Sequence, residues 1–195
     1  MHPPGIVPRG VLYYHPGMWT SLIGFMGSGK STLTRRLQVS TRRPLVSLDD
    51  EVASRAGKDI PAIFQDGGEA VFRSLELEAL ESLDPDRNLV LDTGGGIVHT
   101  PEACSLLHAR GVVLWLDVPW DVLLRRLRQA DPDTRPLIGR LGWAGMEELY
   151  RRRRPLYAAT ADFRLQGDAM ETEDLARTAM LRSLVWERRR EGERR

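Results

Sequence analysis

Several residue types are scarce in this 195-residue sequence, and each shortage excludes a class of protein. The single cysteine, Cys104, cannot form an internal disulfide and has no partner for a zinc site, which excludes a disulfide-stabilised scaffold. No apolar run approaches the roughly 20 residues that a membrane-spanning helix needs. A formal net charge of +1 gives no electrostatic reason to bind nucleic acid or an anionic membrane. We therefore expect a soluble, cytoplasmic monomer that binds neither.

Lysine is the scarcest of the charged residues: Lys30 and Lys58 are the only two among 28 cationic side chains. Arginine supplies the rest, and residues 188–195 form a basic run that is typical of a solvated, frayed tail. Residues 1–17 hold four prolines without a period and lack the apolar stretch of a signal peptide, which predicts a disordered extension. Residues 18–187 then form one domain of ordinary size, and Met18 is a candidate translation start.

Short apolar runs alternate with amphipathic stretches along this domain. We predict strands at 19–23, 45–47, 89–91, 112–116 and 161–165, and helices at 31–39, 50–55, 69–83, 121–128, 143–154 and 173–189. A turn is expected at 61–64 and a mobile loop at 129–142, where Asp, Pro, Gly and Arg are frequent. The alternation indicates an α/β fold with a three-layer, doubly wound parallel sheet of five strands. Its ligands should bind at the carboxyl ends of those strands.

A phosphate-binding pattern follows the first predicted strand. Residues 24–31 read G-F-M-G-S-G-K-S and match G-x-x-x-x-G-K-[ST] between a strand and a helix. Such a loop turns its backbone N–H groups toward an anion, the lysine reaches the β- and γ-phosphates, and the Ser31 hydroxyl coordinates Mg²⁺. ATP with Mg²⁺ is the expected ligand. The candidate nucleotide-binding residues in this segment are Gly27, Ser28, Gly29, Lys30, Ser31 and Thr32.

The acceptor side of a kinase needs a carboxylate to take a proton and cations to hold any substrate charge. Asp49 and Asp50 follow the second strand, and either could instead be a helix N-cap. Arg73 and Glu76 lie three apart on one helical face, where they form either an oriented guanidinium or a surface ion pair. The triplet 94–96 allows a close backbone approach or is a plain glycine loop. The four arginines at 151–154 cover a solvated helix face or present one member inward.

Taken in order, these segments resemble the shikimate kinase family, which has a nucleoside monophosphate kinase-like P-loop fold with a mobile lid. The resemblance spans residues 22–161, and the motifs after the phosphate loop are the specific ones. They are G-F-M-G-S-G-K-S-T at 24–32, Asp49 ahead of R-A-G at 55–57, I-F-x-x-x-G-E-x-x-F-R-x-x-E at 63–76, G-G-G at 94–96, L-D-V-P at 116–119, R-P-L at 135–137 and R-x-P-L-Y at 153–157.

The resemblance implies ATP-dependent phosphorylation of the shikimate 3-hydroxyl, a step in aromatic amino-acid biosynthesis. It assigns the substrate hydroxyls and the role of base to Asp49, and the substrate carboxylate to Arg73 and Arg153. It also implies a backbone N–H contact from Gly95. The lid of residues 128–143 would bring in Arg135 to offset charge on the transferred phosphoryl group, and Arg128 is similar to the family's adenine-stacking arginine.

One position departs from the family pattern. Family members usually carry D-x-D after the second strand, whereas this chain has Ser47-Leu48-Asp49, so a hydroxyl replaces the aspartate usually assigned to the Mg²⁺ shell. We expect weaker Mg²⁺ dependence or a higher Mg²⁺ requirement rather than inactivity, which an unchanged Mg²⁺ titration of Ser47→Asp would contradict. Two other functions compete: a kinase of similar fold for another acidic acceptor, such as gluconate, and a noncatalytic binding module.

Overall fold

Five parallel strands form the centre of the computed structural model, which describes residues 17–129 and 136–193. The strands are β1 (Trp19–Ile23), β2 (Leu45–Ser47), β3 (Leu89–Asp92), β4 (Gly111–Asp117) and β5 (Phe163–Gln166). Their order across the sheet is β2-β3-β1-β4-β5. Every residue of β1 and β4 is buried, as expected for strands covered by helices on both faces. The predicted five-stranded parallel sheet is confirmed.

The register of the strands aligns their carboxyl ends. Leu22 of β1 pairs with Asp92 of β3, and Ser47 of β2 pairs with the same Asp92. The phosphate loop leaves β1 at this edge, and the glycine triplet leaves β3 beside it. The sheet therefore brings the two halves of the predicted site together, although they are separated by about seventy residues of sequence.

In the described part of the chain, seven helices cover the sheet. They are α1 (Lys30–Thr41), α2 (Leu48–Ala56), α3 (Ile60–Glu81), α4 (Pro101–Arg110), α5 (Trp120–Arg128), α6 (Pro136–Thr160) and α7 (Thr172–Glu193), with a 3-10 turn at Ile97–His99. Helix α1 packs against α7, and α2 packs against α3. Within the described residues, no helix is both long and apolar enough to cross a membrane.

The predicted turn at 61–64 is wrong, because these residues lie in the first turn of α3. Asp59 caps this helix by accepting a hydrogen bond from the Ala62 N–H at 2.8 Å, and Pro61 is tolerated where no intrahelical N–H is needed. The chain kinks at Gly68, whose φ of 68° is non-helical. Amphipathic periodicity resumes after this kink, which explains why the sequence predicted a helix only from residue 69.

The predicted loop at 129–142 is also wrong for residues 136–141, which form the first part of α6. Gly142, with a φ of 62°, separates that part from the longer remainder of the helix. Residues 130–135, and with them the predicted lid arginine Arg135, lie outside the described residues, as do residues 1–16 of the predicted extension.

The predicted boundary between the domain and a basic tail falls inside α7, which continues to Glu193. Arg190 donates a hydrogen bond to the His108 carbonyl at 3.0 Å and lies over the Trp186 ring. The hydrogen bond to His108 joins the end of α7 to the end of α4. The prediction of a frayed tail is therefore wrong for residues 188–193.

Candidate active site

The phosphate loop wraps around the end of β1 in a conformation that its glycines permit. Gly29 has a φ of 98° and directly precedes α1, so this helix begins with its N–H groups toward the loop. A Cβ at Gly24 would lie 2.7 Å from the Leu116 carbonyl oxygen of β4, which leaves no room for a side chain. The Ser28 hydroxyl is buried without a hydrogen-bond partner among the described residues. The loop is thus a preformed, polar cradle.

Lys30 is held inside this cradle. Its Nζ donates to the carbonyl oxygens of Gly24 at 2.9 Å and Phe25 at 3.3 Å. Burial lowers the pKa of Lys30, while the nearby carboxylates of Asp92 and Asp49 oppose that shift. A phosphate that enters the loop would give this ammonium a stronger partner than two carbonyls.

A cavity of about 500 Å³ opens from the phosphate loop toward the β5–α7 connection. Thr32 and the loop residues Gly27 to Gly29 line one side, and Gly167 and Asp168 line the other. Arg126 connects the two sides, because its guanidinium donates to the Ser28 carbonyl at 3.0 Å and to the Gly167 carbonyl at 3.2 Å. The cavity continues directly from the phosphate cradle, as the remainder of a nucleotide would require.

Arg128, predicted to stack on adenine, lies elsewhere. Its guanidinium sits 5.5 Å from the centroid of the Trp143 ring, and it does not line the cavity. Two residues along a helix correspond to a rotation of about 200°, so Arg126 and Arg128 face opposite sides of α5. Among the described residues, the α5 arginine that borders this cavity is Arg126, and the contact of Arg128 with adenine stays a prediction.

The glycine triplet forms the wall against which the predicted acceptor residues converge. A Cβ at Gly94 would lie 2.8 Å from both Asp49 Oδ1 and Glu76 Oε1, and a Cβ at Gly96 would lie 1.8 Å from Arg73 Nη2. At Gly95 the nearest atom is the Gly24 carbonyl oxygen of the phosphate loop, at 3.4 Å. The triplet is therefore a packed surface and not a plain loop.

Arg73 and Glu76 form the oriented pair that the sequence predicted. Arg73 Nη1 donates to Glu76 Oε2 at 2.5 Å, and Nη2 donates to Glu69 at 3.3 Å. Glu76 is only 1% exposed and Arg73 15%, so the alternative of a surface pair is wrong. Burial raises the pKa of Glu76, and the Arg73 charge opposes this shift. The buried carboxylate fixes the guanidinium against Gly96.

Arg153 is the one buried member of the run at 151–154 and is 7% exposed. Its Nε donates to His99 Nε2 at 3.1 Å, which requires the His99 tautomer protonated on Nδ1. Tyr157, one turn further along α6, donates from its hydroxyl to the Gly95 carbonyl. Burial lowers the pKa of Arg153 and raises that of Tyr157. Sequence reasoning missed His99, which carries no motif of its own.

Asp49 lies in the first turn of α2 but does not cap it. The N-cap is Ser47, whose hydroxyl accepts from the Asp50 N–H at 3.4 Å, so the alternative role for Asp49 is wrong. Asp49 opens onto the cleft, while the protein behind it raises its pKa by desolvation, opposed by Lys30 and reinforced by Asp92. The site thus offers a carboxylate of increased basicity next to the phosphate loop.

The donor set at this edge suits a hard cation. Ser31 is exposed at the start of α1, and carboxylates stand at the ends of β2 and β3. Within the described ranges, no group of three or more His, Cys, Asp or Glu residues could hold a metal alone. Proteins usually bind Mg²⁺ through one or two oxygen ligands together with substrate phosphates. The residues present therefore fit a nucleotide-bound Mg²⁺.

A phosphate cradle and nucleotide cavity lie on one side of this edge, and a carboxylate with two buried arginines lies on the other. The fold and this site define a P-loop small-molecule kinase whose acceptor carries both a hydroxyl and a negative charge.

Comparison with known proteins specifies the family. The shikimate kinase family model matches residues 26–183. The shikimate kinase of Aquifex aeolicus is 40% identical over 147 residues, which cover 75% of this chain and 85% of that protein. That of Synechococcus elongatus is 40% identical over 166 residues, with 85% of each chain covered. The chain belongs to the shikimate kinase family, and its activity is that of the family, phosphoryl transfer from ATP to shikimate.

Solved structures give the same result. The shikimate kinase from Acinetobacter baumannii in complex with shikimate superposes with a TM-score of 0.75 at 31% identity, covering 85% of this chain and 91% of that chain. A gluconokinase from Sinorhizobium meliloti has a TM-score of 0.57 at 12% identity, which shows a shared fold alone. The expected nucleoside monophosphate kinase-like α/β architecture is confirmed.

Proposed function

We propose that this chain phosphorylates the 3-hydroxyl of shikimate with ATP, using Asp49 as the proton acceptor and Arg73 and Arg153 as the carboxylate anchors. The observation that carries the assignment is the convergence of these three side chains on the glycine triplet, beside the phosphate loop. Each of them is placed by a different element, namely α2, α3 and α6.

The two arginines anchor the acceptor. Both are largely buried, and charge-assisted hydrogen bonds to a carboxylate gain strength where water is excluded. Arg73 and Arg153 hold their guanidinium groups against Gly96 and near Gly95, and the Gly95 N–H adds a donor at the same wall. With the carboxylate fixed, the ring hydroxyls are directed toward Asp49 and the phosphate loop, which lowers the entropic barrier to transfer.

Asp49 accepts the proton of the attacking hydroxyl. Its raised pKa makes it a stronger base than an ordinary aspartate. Lys30 and the loop N–H groups would hold the β- and γ-phosphates, and Ser31 would hold the nucleotide-bound Mg²⁺. The ion supplies charge neutralisation between those phosphates when bound. Lys30 and Asp49 thus act on opposite sides of the transferred group.

Arg126 borders the cavity that continues from the phosphate loop and would contact the nucleotide there. Arg128 remains the predicted adenine-stacking residue. Arg135 remains the predicted lid residue, with the role of offsetting charge on the phosphoryl group during transfer.

A coupled assay of ATP consumption tests the function. We expect slow ATP hydrolysis alone, strong stimulation by shikimate, and no comparable stimulation by gluconate. A larger response to gluconate would assign the chain to the second candidate acceptor. Nucleotide binding without stimulation by either compound at millimolar Mg²⁺ would indicate a noncatalytic module.

The contact between His99 and Arg153 predicts a pH-dependent KM for shikimate. Neutral His99 accepts the Arg153 N–H, whereas protonated His99 loses the acceptor and adds a like charge. Burial lowers the pKa of His99, as do Arg153, Arg73 and Arg152, against the opposing charge of Glu69. His99 is therefore neutral and accepts the Arg153 N–H above about pH 6.5, the ordinary histidine pKa. The hydrogen bond is lost as the pH falls through the lower pKa that His99 has in the folded chain. We expect KM for shikimate to rise several-fold there.

A His99→Gln variant is the matched control for this prediction. Its amide oxygen can accept the same N–H at every pH, so KM for shikimate should become nearly independent of pH between 5 and 7. Parallel measurement of KM for ATP separates this effect from general acid damage. Identical shikimate KM profiles for the variant and the native chain would contradict the role of His99.

A further inference from the structure

The carboxylate that the family pattern places at position 47 has a counterpart on the neighbouring strand. Ser47 pairs with Asp92 in the register of β2 and β3, and paired residues on adjacent parallel strands point to the same face of a sheet. Asp92 also pairs with Leu22 of β1, two residues before the phosphate loop. A carboxylate therefore occupies the same edge, displaced by one strand toward the loop.

The surroundings of Asp92 are those of the transferred phosphates. Of the charged groups acting on Lys30, Asp92 is the one that raises its pKa most, and it raises the pKa of Asp49 as well. Asp92 is partly exposed and ends β3, the strand that leads into the glycine triplet. In the part of the chain that the structure describes, no hydrogen bond or ion pair is formed by this side chain.

Ser47 is engaged in a different task. Its hydroxyl caps α2 through the Asp50 N–H, so this side chain serves the helix that positions Asp49. A neutral hydroxyl also adds no charge to a metal shell, whereas Mg²⁺ favours carboxylate oxygens. Asp92 can supply the carboxylate that Ser47 lacks.

We propose that Asp92 supplies the carboxylate of the Mg²⁺ shell in this chain, acting with Ser31 on the nucleotide-bound ion. The inference rests on the proposed function for the identity of the nucleotide. A metal-binding measurement made without shikimate tests it separately, because a failure of acceptor recognition would leave metal binding unchanged.

The test is a titration of the ADP-bound chain with Mn²⁺, followed by electron paramagnetic resonance of the free ion. Asp92→Asn should raise the Kd for Mn²⁺ about tenfold, as expected when a supporting carboxylate of a metal site is removed. Asp50→Asn, the same change on an exposed carboxylate of α2, should leave the Kd unchanged. An unchanged Kd in Asp92→Asn would overturn the proposal.

ADP affinity measured in EDTA separates this role from a structural one. If Asp92 serves the metal, Asp92→Asn should bind metal-free ADP as tightly as the native chain or more tightly, because a negative charge has left the phosphate site. Weaker metal-free binding, equal in size to the loss with Mn²⁺, would show instead that Asp92 maintains Lys30 and would refute a role in metal binding.

A relocation of the carboxylate completes the test. Adding Ser47→Asp to Asp92→Asn restores a carboxylate at the family's position, and aspartate also caps a helix. The double variant should regain most of the lost Mn²⁺ affinity. Ser47→Asp in the native chain should change the Mn²⁺ affinity less than the same substitution does in the Asp92→Asn variant. Equal effects of Ser47→Asp in both backgrounds would show that the two positions are independent and would contradict the proposal.

Discussion

Asp49→Asn is expected to lower kcat by about a thousandfold, because removing a general base costs roughly 10²- to 10⁴-fold. The amide keeps the size of the side chain and its place beside Gly94 but cannot take the proton of the attacking hydroxyl. The raised pKa of Asp49 is consistent with a group set to accept a proton. Steady-state kinetics with ATP and shikimate both saturating measure the loss.

Nucleotide binding is the internal control for this variant. Calorimetric titration with ADP and Mg²⁺ should give a Kd within about threefold of the native value, since Asp49 opposes rather than supports the binding of phosphate charge. Asp50→Asn should retain native turnover. Full turnover by Asp49→Asn would remove Asp49 as the base and leave substrate binding as its only candidate role.

Arg153→Ala is expected to raise KM for shikimate by roughly 30- to 150-fold. A hydrogen bond to a charged group contributes up to about 3 kcal/mol, and each 1.4 kcal/mol corresponds to a factor of ten. The buried position of Arg153 supports the upper part of this range. Most of the effect should fall on shikimate, because the guanidinium lies on the acceptor side of the glycine wall. Initial rates over a wide range of shikimate concentrations measure it.

Arg151→Ala is the matched control in the same arginine run. Arg151 is exposed and pairs with Glu147 one turn away, an arrangement worth about 0.5 kcal/mol at most. The KM of the Arg151→Ala variant for shikimate should differ less than twofold from that of the native chain. Circular dichroism and ADP binding of Arg153→Ala should match the native chain, which separates lost anchoring from unfolding. Equal KM values for the two variants would argue against Arg153 as an anchor.

Local patterns were sufficient for the features that local physics determines. The phosphate loop between strand and helix, the buried strands and the i,i+3 pair of Arg73 and Glu76 depend on neighbouring residues, and all were predicted. The run at 151–154 indicated that one arginine faces inward without saying which. Its identity depends on how α6 packs on the sheet, which is a tertiary property.

The wrong sequence predictions also arise from backbone and tertiary geometry that local patterns do not encode. Gly68 and Gly142 have non-helical backbone angles at kinks, and the sequence suggested a turn and a loop for the short helical segments that precede them in α3 and α6. Arg126 carries no motif of its own, and only the orientation of α5 places it beside the phosphate loop. The contact between His99 and Arg153 joins residues 54 positions apart, which no local pattern encodes.

The glycine wall also limits how this cleft can be redesigned for other acceptors. A methyl group at Gly96 would meet the Arg73 guanidinium, and one at Gly94 would meet two carboxylates, so diversity introduced there mainly yields inactive clones. A mutant library aimed at new acceptors should hold 94–96 constant and vary the side chains that face the wall. New specificity would then arise from the exchange of anchors on an unchanged backbone.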